Sequence, residues 1–95
     1  MFEPGKLQAR QVMRVYEAIR RHGQTVPEGH SWMGITAGSD VDGYNLYLFD
    51  QQGVSLTLGF HQSLRLEGGN RAQRRFFIER LSEVDRAGSR LQERP

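Results

Sequence analysis

The stretch from Trp32 to Glu67 constrains the fold of this chain most, because two sets of alternating residues run through it. A period of two residues is typical of β-strands, whose successive side chains point to opposite faces of a sheet. One set is aliphatic and predicts the buried face of an antiparallel sheet: Met33, Ile35, Leu46, Leu48, Val54, Leu56, Leu58, Phe60, Leu64 and Leu66. The other set is too aromatic for an ordinary solvated face: Trp32, Thr36, Tyr47, Phe49, Thr57 and His61.

Turn-forming residues divide this stretch into three or four predicted strands. The strands are expected at about His30 to Ala37, Tyr44 to Asp50, Val54 to Phe60 and, briefly, Leu64 to Leu66. Asp42-Gly43 predicts a two-residue hairpin turn, and Gln51-Gln52-Gly53 predicts a short connection in which glycine takes a positive φ. Gly23 to Gly29 has the composition of a loop.

A helical repeat lies on each side of the predicted sheet. Leu7 to His22 predicts an amphipathic helix that Gly23 ends, and Asn70 predicts the N-cap of a second helix that Gly88 ends. Their apolar positions are Ala9, Val12, Met13, Tyr16 and Ile19, then Ala72, Phe76, Phe77, Leu81 and Val84 with Ile78 beside them. We therefore predict an α+β fold, a two-layer sandwich in which a helix, a three- to four-stranded antiparallel meander and a helix follow one another.

Length and composition limit the class of protein. The chain has 95 residues and no cysteine, so we expect one domain over residues 1–88, a disordered tail over 89–95, and no disulfide or thiolate zinc site. No apolar run approaches the roughly 20 residues needed to span a bilayer, and residues 1–6 lack the pattern of a signal peptide. We expect a soluble cytoplasmic protein that contacts no membrane and needs no cofactor.

The aromatic set supplies the first interpretation of function. Trp32, Tyr47, Phe49, Thr57 and His61 are the candidate binding residues on the sheet face that the helices leave uncovered. Interface cores between subunits are depleted in charge and enriched in aromatic residues. We expect a homodimer in which a second copy covers this face, and a protein that acts as a binding or regulatory accessory, with an unidentified protein as a further partner, and not as an enzyme.

The charge distribution supplies a second interpretation. The net charge is +3 over residues 1–22, −4 over residues 23–69 and +3 over residues 70–95. Nucleic acid would bind through the arginine-rich helices, with Arg10, Arg14, Arg71, Arg74 and Arg75 as the contacts. Acidic residues interrupt that surface, and the first three predicted strands carry no Lys or Arg beside their aromatic residues, so this interpretation ranks second.

A third interpretation places a small-ligand site at His61. Histidine titrates near neutral pH, and His61 is expected to end the third strand on the face of Tyr47 and Thr57. Nothing in its spacing from other polar residues specifies a nucleophile or an orienting carboxylate. We therefore predict no catalytic residue.

Metal binding has little support in the sequence. Asp40-Val41-Asp42-Gly43 resembles part of a calcium loop, but the first and twelfth positions of that loop would fall on Gly38 and Phe49, which supply no carboxylate. The three histidines are scattered. We predict a hairpin turn at Asp40 to Gly43 and no metal site.

Four short segments resemble a small bacterial family of unknown function. They are Val15-Tyr16-Glu17-x-Ile19-Arg20-x-His22-Gly23, Gly34-Ile35, Asp42-Gly43-Tyr44 and Gly59-Phe60-His61. The resemblance covers roughly residues 10 to 85. It implies a compact bacterial protein and assigns no catalytic residue.

Overall fold

The protein folds as a helix, six strands and a second helix. The computed structural model describes residues 7–92, except for the side chains of Phe60 and Gln92. The elements are α1 (Ala9–His22), β1 (Gln24–Val26), β2 (Gly29–Trp32), β3 (Ile35–Ser39), β4 (Leu46–Phe49), β5 (Ser55–Leu58), β6 (Leu64–Glu67) and α2 (Arg71–Gln92). The six strands pair antiparallel in chain order, which confirms the α+β class and the meander but exceeds the predicted number of strands.

The two additional strands come from the region between α1 and β3. The predicted loop Gly23 to Gly29 contains β1, which pairs with β2 from Gln24 to Val26. The single strand predicted from His30 to Ala37 is divided by a tight turn at Met33 and Gly34, where φ is 53° and 84°. Two successive positive φ values are typical of a type I′ hairpin turn. The sequence did not predict this turn, because methionine seldom adopts a positive φ.

The next two connections differ in how closely they match the predictions from the sequence. Between β3 and β4 the chain forms a hairpin loop over residues 40–45. The backbone N–H of Gly43 donates to the carbonyl oxygen of Asp40 at 3.0 Å, so the turn predicted at Asp40 to Gly43 is confirmed, whereas the two-residue length expected at Asp42-Gly43 is wrong. Between β4 and β5 the predicted short connection is confirmed, with φ of 89° at Gly53. The carboxylate of Asp50 holds that connection by accepting hydrogen bonds from the backbone N–H groups of Gln52 and Val54 at 3.0 and 3.1 Å.

The core lies between the helices and one face of the sheet. α1 contacts α2, β2 and β3. The buried apolar residues are Val12, Val15, Tyr16, Ile19, Ile35, Ala37, Leu48, Val54, Leu56, Leu58, Phe77, Ile78, Leu81 and Val84, with Leu46, Leu64 and Leu66 partly buried against them. The aliphatic residues predicted on the strands therefore form the helix-facing side of the sheet. Met33 of that set lies in the turn between β2 and β3, and the side chain of Phe60 lies outside the described part of the protein.

The boundaries of α1 depend on glutamine and glycine. α1 begins at Ala9, two residues after the predicted start, and the side chain of Gln11 accepts a hydrogen bond from the backbone N–H of Gln8 at 2.9 Å. It ends before Gly23, as predicted, although the φ of Gly23 is −85°. A Cβ at position 23 would lie 2.6 Å from the carbonyl oxygen of Ser31, so glycine is required here for close backbone approach.

α2 differs from the prediction at both its buried stripe and its end. Phe77, Ile78, Leu81 and Val84 are buried, whereas Ala72 is exposed and the side chain of Phe76 is 68% exposed. The stripe continues to Gly88, which is buried inside the helix and does not end it. Of the tail expected over residues 89–95, residues 89–92 are helical and residues 93–95 lie outside the described part of the chain.

Candidate functional site: the open face of the sheet

Within residues 7–92, no helix lies on one face of the sheet, and we call this face the open face. Directly paired residues of an antiparallel sheet point to the same side, so the strand pairing assigns its members. One row crosses the sheet through Ser31, Thr36, Phe49, Ser55 and Glu67, and a second through Gly38, Tyr47, Thr57 and Arg65. Tyr47, Phe49 and Thr57 thus share this face, as the sequence predicted.

Tyr47 and Phe49 form the centre of the open face. Both lie on β4, two residues apart, and both are half-buried although no helix covers them. From β2 to β5 the strands place no charged side chain on this face. The charges lie on the edge strand β6, where Arg65 and Glu67 pair at 3.5 Å.

The turn between β1 and β2 borders this centre. A Cβ at Gly38 would point to the open face beside Tyr47 and would lie 2.5 Å from the carbonyl oxygen of Glu28. The turn therefore approaches the sheet closely here and covers the corner next to Tyr47. The accessible part of the open face is shifted toward β4, β5 and β6.

Trp32 does not belong to the open face, which corrects the sequence interpretation. It pairs with Ile35 across the turn at Met33 and Gly34 and packs against the buried core. A two-residue turn places residues three apart on the same side, so it reverses the alternation that had grouped Trp32 with Thr36. The Trp32 ring lies 5.1 Å from the His22 ring at the end of α1.

His61 is also placed differently from the prediction. β5 ends at Leu58, and His61 lies in the 3₁₀ turn Phe60–Gln62 with a φ of 58°. Its side chain is exposed, and it does not continue the row of Tyr47 and Thr57. The turn, and not the sheet, positions any ligand group that His61 provides.

The five arginines of the nucleic-acid interpretation do not form one surface. Arg14 donates from Nε and Nη2 to the two carboxylate oxygens of Asp85 at 3.0 and 3.1 Å, and this hydrogen bonding raises the pKa of the Arg14 guanidinium, with a smaller opposing effect of burial. Arg10 lines a groove of about 630 Å³ with Met13 and Tyr44. Arg71, Arg74 and Arg75 gather elsewhere, at the start of α2.

The acidic loop over residues 40–45 is held by hydrogen bonds between its own residues. The carboxylate of Asp40 accepts hydrogen bonds from the side-chain amide of Asn45 at 2.7 Å and from the backbone N–H of Tyr44 at 3.1 Å. The hydrogen bond from the Asn45 amide is the main reason that the pKa of Asp40 lies below its ordinary value of 3.8. Desolvation opposes this shift, and the backbone N–H donors add smaller contributions that lower the pKa further. The loop thus uses its own carboxylate as a structural acceptor.

The described residues contain neither a group of metal ligands nor a helix that could span a membrane. Within residues 7–92, no three His, Asp or Glu side chains gather in a way that would hold a metal ion. Neither helix in this range combines the length and the apolar character that crossing a bilayer requires.

Three of the five arginines predicted as nucleic-acid contacts form a cluster of their own, which the sequence did not separate from Arg10 and Arg14. Arg71, Arg74 and Arg75 line a concavity together with Leu66 and Gly69. The spacing of the arginines, i, i+3 and i+4, was a usable signal because such residues share one face of a helix. Leu66 and Gly69 had no comparable signal, since only the fold brings them to the same place.

An antiparallel sheet with both helices on one side defines a two-layer α+β protein, and no helix of residues 7–92 covers the face around Tyr47 and Phe49. Residues 7–91 match the model of a protein family described as a protein of unknown function (DUF3081), so the chain belongs to that family. This confirms the resemblance to a family of unknown function. No curated protein and no solved structure is detectably similar to the chain.

Proposed function

We propose that the protein functions by binding, as a cytoplasmic bacterial accessory without catalytic activity, and that the open face joins two copies in a homodimer. The observation that carries the proposal is the uncharged centre of the open face around Tyr47 and Phe49. Covering an exposed sheet face of this composition is favourable, because apolar area is removed from water. The absence of enzymatic activity stays a prediction.

Symmetry supports a second copy as the occupant. In a twofold dimer each residue near the axis meets its own counterpart, so a charged residue there would face a like charge. The two rows through Tyr47 and Phe49 have no charged residue near their centre, because Arg65 and Glu67 lie on the edge strand β6 and pair with each other. The face is therefore suited to contact with itself.

The size of the open face sets the expected affinity. Strands lie about 4.8 Å apart and rise about 3.3 Å per residue, so a sheet of six strands, each about four residues long, covers at most roughly 24 Å by 13 Å, on the order of 300 Å². The turn between β1 and β2 occupies part of this area. A standard interface buries about 800 Å² on each partner. Even with contributions from the surrounding loops, we expect an exchanging dimer with a micromolar or weaker dissociation constant.

The test is sedimentation of the wild-type protein over a series from low micromolar to near-millimolar concentration. The average mass of the wild type should rise toward that of the dimer, and Tyr47→Glu should remain a monomer throughout, because it places a charge at the centre of the face. Ser55→Arg is a second variant that should fold readily, since Ser55 lies opposite Glu67, and it should weaken the dimer as well.

Tyr44→Glu provides a matched control. Tyr44 is 60% exposed in the loop between β3 and β4, away from the open face. This variant should dimerise like the wild type. A monomeric wild type at every concentration, or equal loss of dimer in Tyr44→Glu and Tyr47→Glu, would contradict the proposal.

A further inference from the structure

Three arginines converge at the junction of β6 and α2, and we call this site the arginine cleft. Arg71, Arg74 and Arg75 line a concavity of about 620 Å³ together with Leu66, Gly69 and Asn70. Leu66 points to the helix-facing side of the sheet, so the cleft is separate from the open face. Ligand binding at the cleft would therefore not depend on whether the protein forms a dimer through the open face.

The arginines of the cleft lack an acidic partner among the residues that the structure describes. No carboxylate within residues 7–92 forms an ion pair with Arg71, Arg74 or Arg75. Arg74 donates from Nε to the carbonyl oxygen of Gly68 at 2.7 Å, which fixes the orientation of its guanidinium group. The remaining guanidinium N–H groups are available to a ligand.

This arrangement destabilises the helix that carries it. The first turn of α2 contains no acidic residue, so its positive charges lie at the positive end of the helix dipole, where they are unfavourable. Arg71 and Arg75 also form a like-charged i, i+4 pair. The N-terminus itself is closed by reciprocal hydrogen bonds of 2.8 Å between Asn70 and Gln73, so capping does not explain the arginines.

We propose that the arginine cleft binds the phosphoryl group of a small phosphorylated molecule whose apolar part contacts Leu66. Guanidinium groups match the geometry of phosphate oxygens through paired hydrogen bonds. Three of them around one concavity more than neutralise a dianion, and the bound dianion reduces the repulsion among the arginines. Arg74, held by Gly68, supplies a donor that is already oriented.

The distribution of charge favours a small molecule over the backbone of a nucleic acid. A strand would need a continuous basic track, but Arg10 lies at the Leu46 and Leu58 end of the sheet, and the cleft follows the opposite end of β6. Arg14 is occupied by Asp85. The cleft therefore provides a single anion site.

The test is a titration with phenyl phosphate, followed by NMR chemical shifts, at an ionic strength held constant with sodium chloride. The shifts of the backbone N–H groups around the cleft should saturate, and Arg71→Gln and Arg75→Gln should each weaken binding at least tenfold. Without ligand, Arg71→Gln should raise the melting temperature by about 3 °C, because a like-charged pair and an unfavourable dipole contact are removed. A structural role for Arg71 would lower it instead.

Arg86→Gln is the matched control, since Arg86 is exposed on the same helix and does not line the cleft. It should leave phenyl phosphate binding unchanged. Absence of saturation at millimolar phenyl phosphate, or equal weakening by Arg86→Gln, would overturn the proposal. Tighter and steeply salt-dependent binding of a single-stranded oligonucleotide in a parallel titration would overturn it in favour of a nucleic-acid surface.

Discussion

At the scale of single residues, the turn at Met33 and Gly34 determines which side chains reach the open face. It reverses the alternation between β2 and β3 and so directs Trp32 into the helix-facing layer. The φ of 84° at Gly34 is in the left-handed region, where a Cβ is strained. Apart from Gly34 and its two chain neighbours, no atom of the described residues lies within 4 Å of a Cβ built at Gly34, so the effect of a substitution there reports the backbone conformation.

Gly34→Ala should therefore lower the free energy of unfolding by about 1 kcal/mol, because alanine tolerates a positive φ poorly. Gly34→Asn should cost less, since asparagine adopts the left-handed conformation more readily. Urea unfolding of both variants measures the difference. Equal losses in the two variants would mean that the turn does not have this geometry.

The hydrogen bonds of Asp40 predict a pH dependence of stability. Its folded-state pKa lies below the ordinary value of 3.8, so its contribution to stability is present above that value and is lost as the pH falls through the lower, folded pKa. Asp40→Asn should be less stable than the wild type at pH 7, and the gap should close in strong acid. Asp42→Asn, which alters a neighbouring carboxylate that makes no hydrogen bond within residues 7–92, should match the wild type at pH 7.

At the scale of elements, the contact between the two helices depends on one small residue in each. A Cβ at Gly88 would lie 2.7 Å from the Cβ of Ala18, so the helices approach as closely as alanine and glycine allow. The sequence suggested that Gly88 ends α2, because glycine is common after helices. From the sequence alone, a glycine that ends a helix cannot be distinguished from a glycine that lets two helices pack closely. The distinction requires knowing which helix faces Gly88.

A double-mutant cycle on these two residues tests the packing. Gly88→Ala should be destabilising by about 1 to 3 kcal/mol through overpacking, partly offset by the better helix propensity of alanine, which is worth up to about 1 kcal/mol. Adding Ala18→Gly should recover stability, with a coupling energy of about 1 kcal/mol. Ser89→Ala, exposed on the next position, is the control and should cause no loss; additive effects of the pair would contradict direct contact.

At the scale of the whole molecule, the long aliphatic set made the fold predictable. Its period of two specified a sheet with one buried face, and the helical repeats supplied the cover. β1 escaped prediction because Gln24 and Thr25 are polar and the strand has only three residues, and β2 was joined to β3 in one predicted strand because the turn at Met33 and Gly34 has no clear sequence signal. β1 forms by pairing with β2, and β2 also pairs with β3. Such pairing is a tertiary effect that intrinsic propensity does not include.

The candidate site was predictable only in part for the same reason. Tyr47, Phe49 and Thr57 lie on β4 and β5, where the alternation is uninterrupted, and they share a face as expected. Trp32 and His61 lie beside turns with positive φ values, which change the direction of the chain and the face of the side chain. Errors in the site therefore occur where the turns are, and not within the strands.

The position of Trp32 has a spectroscopic consequence. It is the single tryptophan of the chain, and its ring lies against His22 at the end of α1 on the helix-facing side of the sheet. Its fluorescence will therefore change when α1 separates from the sheet and will remain constant when a second molecule covers the opposite side. Emission from one native fluorophore thus follows unfolding without interference from self-association, and no label needs to be introduced.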